Sequence, residues 1–183
     1  MMEELSLHIM DVLQNSLAAG ARNVELEIEE DVERDRLVIR VKDDGKGMSP
    51  EELKRVQDPF YTTKRSIGVG LGIPMFKWVA EHCGGSFRME SEQGKGTMLE
   101  AVMRLSHIDR PPMGDLVDTL LGMVVSSPQV RFVIRYKSGK GEFVFDSREV
   151  KEILGDVPLS SAEVVGFLKE YFAENLGAVM EAA

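Results

Sequence analysis

The chain has 183 residues, with 22 Lys and Arg against 31 Asp and Glu, a net charge of −9 and 43% hydrophobic residues. That length suits one domain or two small ones, and the apolar fraction supports a packed core rather than disorder. The acidic balance disfavours nucleic-acid binding by the whole surface, no apolar run can span a bilayer, the acidic start Met1–Ser6 is unlike a basic secretion signal, and the lone Cys83 excludes an internal disulfide and a cysteine metal cage.

Residues 3–19 carry Leu5, Ile9, Val12, Leu13 and Leu17 at helical spacing, and Gly20 follows as a left-handed stop. Val24, Leu26 and Ile28 alternate with glutamates, which predicts a half-buried strand; the acidic run Glu25 to Glu33 is then a solvated strand face and turn. Leu37, Ile39 and Val41 repeat the pattern and deliver Asp43 at the strand's C-terminal end. Ser49-Pro50-Glu51-Glu52 has the form of a capped helix start, and that helix ends near Asp58-Pro59. Residues 60–70 have no periodicity and read as a mobile loop. Leu71 to Cys83 is a further helix, with Pro74 tolerated in its first turn. Phe87–Ser91 and Thr97–Leu105 are strands, the second turning Leu99, Ala101, Met103 and Leu105 inward.

Pro111-Pro112 and Gly114 mark a linker over residues 106–114, dividing a domain over 1–105 from a small α/β domain over 115–183. In the second part Asp115 can cap a helix to Val125. Val130–Tyr136 and Glu142–Phe145 form a hairpin around Ser138–Gly141. Ser160 with Glu163 forms a capping box before a helix bearing Val164, Phe167, Leu168 and Tyr171. There is no internal repeat.

Four short motifs carry chemistry. Asp43, in Asp43-Asp44-Gly45-Lys46-Gly47-Met48, can accept a hydrogen bond from the exocyclic amine of adenine. Guanine presents an oxygen there and would be rejected, because unpaired buried polar groups discriminate strongly. Gly45 and Gly47 let the backbone approach a purine closely. Asn15, inside Asp11-Val12-Leu13-Gln14-Asn15-Ser16-Leu17-Ala18-Ala19-Gly20-Ala21, is a poor helix former but carries a hard amide oxygen suited to Mg²⁺. Asp11 lies one turn earlier on the same face, where a carboxylate can polarise an attacking water or hydroxyl. Gly68-Val69-Gly70-Leu71-Gly72 opens a helix, so its N–H groups can converge on phosphate oxygens. It is neither a Walker A loop nor a dinucleotide fingerprint. Gly94-Lys95-Gly96-Thr97 is a turn that presents the Thr97 hydroxyl.

The order of these motifs resembles the GHKL ATPase family, which groups gyrase, the Hsp90 chaperones, histidine kinases and the mismatch-repair MutL proteins. The resemblance covers roughly residues 5–105. It implies a two-layer α/β sandwich of the Bergerat type, α+β in class, with a small α/β C-terminal extension, and ATP held between helices and lid. It further implies that Asp43 contacts adenine, that Thr97 helps to bind it, and that Asn15 holds Mg²⁺ with Asp11 as base. Ala19, Gly45, Gly47, Met48, Gly68, Val69, Gly70, Leu71 and Gly72 would complete the nucleotide contacts. Phe60-Tyr61-Thr62-Thr63-Lys64 resembles the stretch before the lid of some histidine kinases, which makes Lys64 a point charge for the γ-phosphate. Asp11 stands where Glu is usual, Ala18 where Asp is common, and Asp44 where Asn is common.

His8 shares the Asp11 and Asn15 face but reads as a packing or capping histidine rather than a phosphoacceptor. The eleven Met residues are scattered core filler. The implied function is that of a cytoplasmic, Mg-dependent ATPase or protein kinase, a transferase in signal transduction, acting on a partner protein through residues 106–183. Neither nucleic acid nor membrane is an expected partner, and a homodimer stays open. The alternative is an ATP-operated conformational switch whose C-terminal part docks a partner without catalysis.

Overall fold

The computed structural model describes residues 4–60 and 71–181. Its elements in chain order are α1 (Leu5–Ala18), β1 (Asn23–Asp31), β2 (Arg36–Asp43), α2 (Pro50–Val56), α3 (Gly72–His82), β3 (Ser86–Glu92), β4 (Gly96–Arg104), α4 (Leu116–Ser126), β5 (Arg131–Ser138), β6 (Gly141–Asp146), α5 (Ser147–Leu154) and α6 (Ala162–Val179). The six strands make one mixed sheet in the order β3-β4-β2-β1-β5-β6. Only the β1–β5 pair is parallel; the other four pairs are antiparallel. The fold is α+β, as the resemblance implies.

Period-two patterning decides the two faces of the sheet. Leu26, Ile39, Leu99 and Ile134 point inward and are almost fully buried beneath the helices. The outward positions instead form a charged row. Arg88, Glu100, Arg40, Glu27 and Arg135 are register neighbours across β3, β4, β2, β1 and β5, with alternating sign. Arg40 reaches Glu100 and Glu27 at 2.7 Å each, and Arg135 reaches Glu142 at 3.1 Å. Glu27, in the middle of the outward face of β1, is therefore paired as well as solvated.

The sheet crosses the division drawn at residues 106–114. β5 lies beside β1 over seven register pairs, from Asn23↔Arg131 to Glu29↔Lys137. One buried cluster runs from Leu5 to Val179. The connecting segment is docked rather than free. It supplies the Pro112 and Met113 carbonyls that accept from the Leu5 and Ser6 N–H groups, at 2.9 and 2.8 Å. These carbonyls satisfy first-turn donors that Glu4, the N-cap, leaves without a side-chain acceptor.

Local signals account for most element boundaries. Ser49 and Glu52 form the reciprocal box at the start of α2, with Pro50 at its first position. Asp115 caps α4 through Asp118 N–H. Two expectations need correction. α6 begins one residue later than the Ser160–Glu163 box implies: its N-cap is Ser161, with no side-chain cap bond. Its buried face is Val164, Leu168, Phe172 and Leu176, while Phe167 is 62% exposed, because spacings of four set the inward stripe. Helix α5, which the sequence reading leaves out, starts at the Asp146 cap and sets Val150 and Leu154 against the core while Ile153 faces outward.

One buried polar contact ties the C-terminus to the sheet. Glu30, buried on β1, accepts from the Tyr136 hydroxyl and from Glu181 N–H, the latter at 3.0 Å. Burial, then the bond to Glu30, pushes the Tyr136 hydroxyl pKa upward, which keeps it a donor. Tyr136→Phe leaves a buried carboxylate oxygen unpaired and is expected to cost about 1–3 kcal/mol in urea denaturation. Adding Glu30→Gln should restore part of that loss. An unchanged midpoint in Tyr136→Phe would remove this contact from the account of stability.

Candidate functional site

A cavity of about 230 Å³ opens between the C-terminal half of α1 and the end of the sheet where β2 finishes and β4 begins. Asn15, Ser16 and Ala19 wall it on the helix side; Asp43, Gly47, Met48 and Thr97 wall it on the strand side. Val41, Ile73, Met89 and Leu99 give it an apolar floor. A mostly apolar pocket with a few convergent polar groups suits a flat heterocycle.

Asp43 is fixed from two directions. Its Oδ2 accepts from the Ser16 hydroxyl at 2.7 Å, and its Oδ1 accepts from Gly45 N–H at 2.9 Å. An ionised carboxylate offers about four acceptor sites, so two bonds leave capacity for a ligand donor. Asp44 points elsewhere. It accepts from Arg22 N–H, Asn23 N–H and the Asn23 side-chain amide at 2.8–2.9 Å. The Asn23 amide, opposed by burial and helped by the backbone bonds, holds the Asp44 carboxyl below the usual carboxylate range. Asp44 is thus the clasp between the start of β1 and the end of β2.

The glycines act through close approach. A Cβ on Gly45 would stand 2.8 Å from Ala19 Cβ and 2.9 Å from the Ala19 carbonyl. Gly47 has φ +68, and a Cβ there would lie 2.0 Å from the Glu92 carbonyl. Gly96 has φ +119 and sits equally close to the Asp43 carbonyl. Between them Lys46 donates to the Ala19 carbonyl at 2.9 Å and accepts from Gly94 N–H at 2.7 Å. These contacts weld α1, the Asp43–Met48 turn and the Gly94–Thr97 turn into one unit.

Thr97 belongs to a small hydroxyl relay. Ser91 Oγ lies 2.8 Å from Thr97 Oγ1, donates to the Gly96 carbonyl at 3.0 Å, and accepts from Met48 N–H at 2.8 Å. Ser16 and Ser91 are absent from the candidates that the motifs suggest. Ser16 is legible as the neighbour of Asn15 on a buried helix face; Ser91 is one polar residue in an alternating strand and carries no signal alone.

The remaining candidates fall in three groups. Asp11 does not line the cavity; it lies against the start of α3, where a Cβ on Gly72 would stand 2.8 Å from its Oδ2. Burial raises the Asp11 carboxyl pKa. Leu71 is the N-cap of α3 and is exposed. Lys64, Gly68, Val69 and Gly70, with residues 61–70 of the loop expected over 60–70, lie outside the described residues.

His8 is fully buried, stacked on Phe76 with ring centroids 5.1 Å apart, and neither ring nitrogen has a hydrogen-bond partner among the described residues. That environment is packing, with no access for a phosphoryl donor. Burial lowers its pKa from 6.5 to about 4. The folded state therefore binds this proton less tightly than the unfolded state. Stability is unaffected above pH 6.5 and falls as the pH drops from 6.5 towards 4, by up to about 3 kcal/mol. His8→Leu should flatten that slope in urea denaturation at pH 7, 5.5 and 4.5. A slope equal to wild type would assign the acid loss to other groups.

Residues 3–107 match the family described as histidine kinase-, DNA gyrase B- and HSP90-like ATPase. Sporulation kinase C of Bacillus subtilis is 33% identical over 102 residues, which is 56% of this chain and 24% of that protein. The sensor histidine kinase ZraS of Salmonella typhimurium is 31% identical over 97 residues, 52% of this chain and 21% of that protein. The chain thus spans about a quarter of the length of these relatives. Among solved structures, the Aquifex aeolicus MutL ATPase domain complexed with ADP aligns with a TM-score of 0.55 and 16% identity, over 93% of this chain and 70% of that one. The fold likeness therefore continues past the residues matched by the family.

Proposed function

The chain belongs to the histidine kinase-, DNA gyrase B- and HSP90-like ATPase family, and from that premise we propose that it binds Mg·ATP in the cavity beside Asp43 and works as an ATPase or phosphotransferase on a partner protein in signalling. The observation that carries this reading is the doubly anchored Asp43 carboxylate at the cavity wall, with unspent acceptor capacity over an apolar floor. Adenine fits that chemistry: its amine meets the carboxylate, its faces meet Val41, Met89 and Leu99, and the Ser91–Thr97 relay offers a hydroxyl beside it.

Asn15 fits a magnesium role. It is exposed on the cavity-facing side of α1, and Mg²⁺ takes few protein ligands when phosphates and waters complete its shell. When bound, the ion would neutralise charge developing on the phosphates. Asp11, one turn away, would accept the proton of an attacking water or hydroxyl as the γ-phosphoryl group transfers and ADP leaves. Its raised pKa suits that task. Leu71 and Gly72, with Gly68, Val69, Gly70 and Lys64, would serve the phosphates. The kinase identity of the relatives supports phosphoryl transfer.

A switch is the second reading, and the docked segment at Pro112–Met113 supports it. The helix proposed to hold nucleotide is capped by the connection to residues 115–181, so movement of α1 on binding would be felt there. Residues 106–183 would then present the partner surface.

Incubation with Mg²⁺ and γ-labelled ATP separates these readings. Asp43→Ala removes the adenine acceptor and strands Ser16 and Gly45; ATP affinity should fall about thirtyfold or more. Asp11→Asn should leave affinity within about threefold but cut free phosphate or labelled partner at least a hundredfold. Product formation unchanged in Asp11→Asn would remove Asp11 as base. Tight binding with no product in the wild type would select the switch.

A further inference from the structure

A second cavity, of about 270 Å³, shares no wall residue with the first. It opens where β1 and β5 start side by side, with Arg131 N–H donating to the Arg22 carbonyl at 2.8 Å. Its charged and amide-bearing walls are Arg22, Asn23, Gln129, Arg131, Arg148 and Lys151. Four of those six are cations, in a chain whose net charge is −9, and no carboxylate lines the space.

Two of the carboxylates nearby are already committed. Asp146 takes Arg131 in a two-pronged pair at 3.1 and 2.6 Å. Asp44 is spent on Arg22 N–H and on Asn23. Glu25 and Glu149 are close enough to act on the Arg131 charge but are not part of the wall. Among the described residues Lys151 Nζ donates only to the neutral Pro128 carbonyl. The guanidinium groups of Arg22 and Arg148 have no ion pair or hydrogen bond among the described residues. Two guanidinium groups without a hydrogen bond among the described residues, Arg148 also acting on the Asp146 charge, and an ammonium therefore line a cavity with room for one or two tetrahedral oxyanions and their waters, at roughly 30 Å³ per water.

We propose that this cavity is a binding site for a phosphate group, carried either by a free phosphate compound or by a phosphorylated side chain of a partner protein. The arginine forks match two oxygens each, and a doubly charged oxyanion gains more from three cations than a carboxylate does. Asn23 connects the site to the nucleotide pocket region, because the same residue that walls this cavity holds Asp44, the neighbour of Asp43.

The test is an amide chemical-shift titration of the full chain at constant ionic strength, in which the shifts of Asp43 and Thr97 separately report any occupancy of the first cavity. Inorganic phosphate is titrated in one arm, and a phosphoserine peptide beside its unphosphorylated form in the other. Saturable shifts centred on Arg22, Asn23, Arg131 and Arg148 are expected, and Arg22→Ala with Arg148→Ala should weaken binding at least tenfold, since both residues are exposed and the fold does not rest on their side chains. Stronger binding of the phosphopeptide than of inorganic phosphate, with none for the unphosphorylated form, identifies a protein source; equal affinities identify a free one. Unsaturable or dispersed shifts, or a double variant that binds as well as wild type, overturn the proposal.

Discussion

The Asp43 carboxylate can face a ligand only because the end of α1 is held within contact distance of the end of β2, and that closeness constrains everything else in the site. The approach leaves no room for a side chain at Gly45, which lies against Ala19, or at Gly96, which lies against the Asp43 backbone. Ser16 closes the contact chemically, since its hydroxyl is buried and donates to Asp43. Lys46 closes it mechanically by bonding to Ala19 on one side and Gly94 on the other. Helix, strand end and turn are therefore positioned by the same few backbone contacts, and the cavity is the volume these contacts leave open.

The C-terminal part of the chain is bound into this arrangement rather than appended to it. β5 takes the free side of β1 in parallel pairing, and its inward residues Phe132, Ile134 and Tyr136 join the same apolar layer as Val24, Leu26 and Ile28. The carbonyls at Pro112 and Met113 finish the first turn of α1. Removing the segment would expose the Ile28 and Leu26 side of the sheet and leave α1 with unsatisfied N–H donors, both costly in water-excluded surroundings. The helix that carries Asp11 and Asn15 is thus stabilised from both halves of the sequence.

Much of the site is legible in the amino-acid sequence because its parts are local. Asp43 lies at the end of an alternating strand, Asn15 is an unfavourable residue inside a helical stripe, and Gly45, Gly47 and Gly96 punctuate turns; each is a short-range pattern. What the sequence hides is non-local. The β1–β5 pairing joins residues about a hundred positions apart, and nothing in Arg131–Ser138 alone distinguishes a hairpin in its own domain from one that extends a distant sheet. Ser91 gains its role only when β3 pairs with β4 and the Gly96–Thr97 turn comes within reach. Phe167 reads as inward because an apolar helix residue at i+3 from Val164 fits the same stripe; the four-residue spacing to Leu168 and Phe172 prevails.

Electrostatics explains why so acidic a chain can still hold anions. Central cations of the open sheet face are held by counter-charges, Arg40 between Glu27 and Glu100 and Arg135 beside Glu142. Such pairs are exposed, screened and worth little to stability, yet each offsets the charge of its partner. A negatively charged ligand is then drawn only to where positive groups remain unspent. Lys46, whose side chain makes no ion pair among the described residues, lies on the wall of the nucleotide cavity; Arg22 and Arg148 lie on the wall of the other. The net charge describes the surface as a whole, whereas anion affinity follows the local groups of cations on a concave wall.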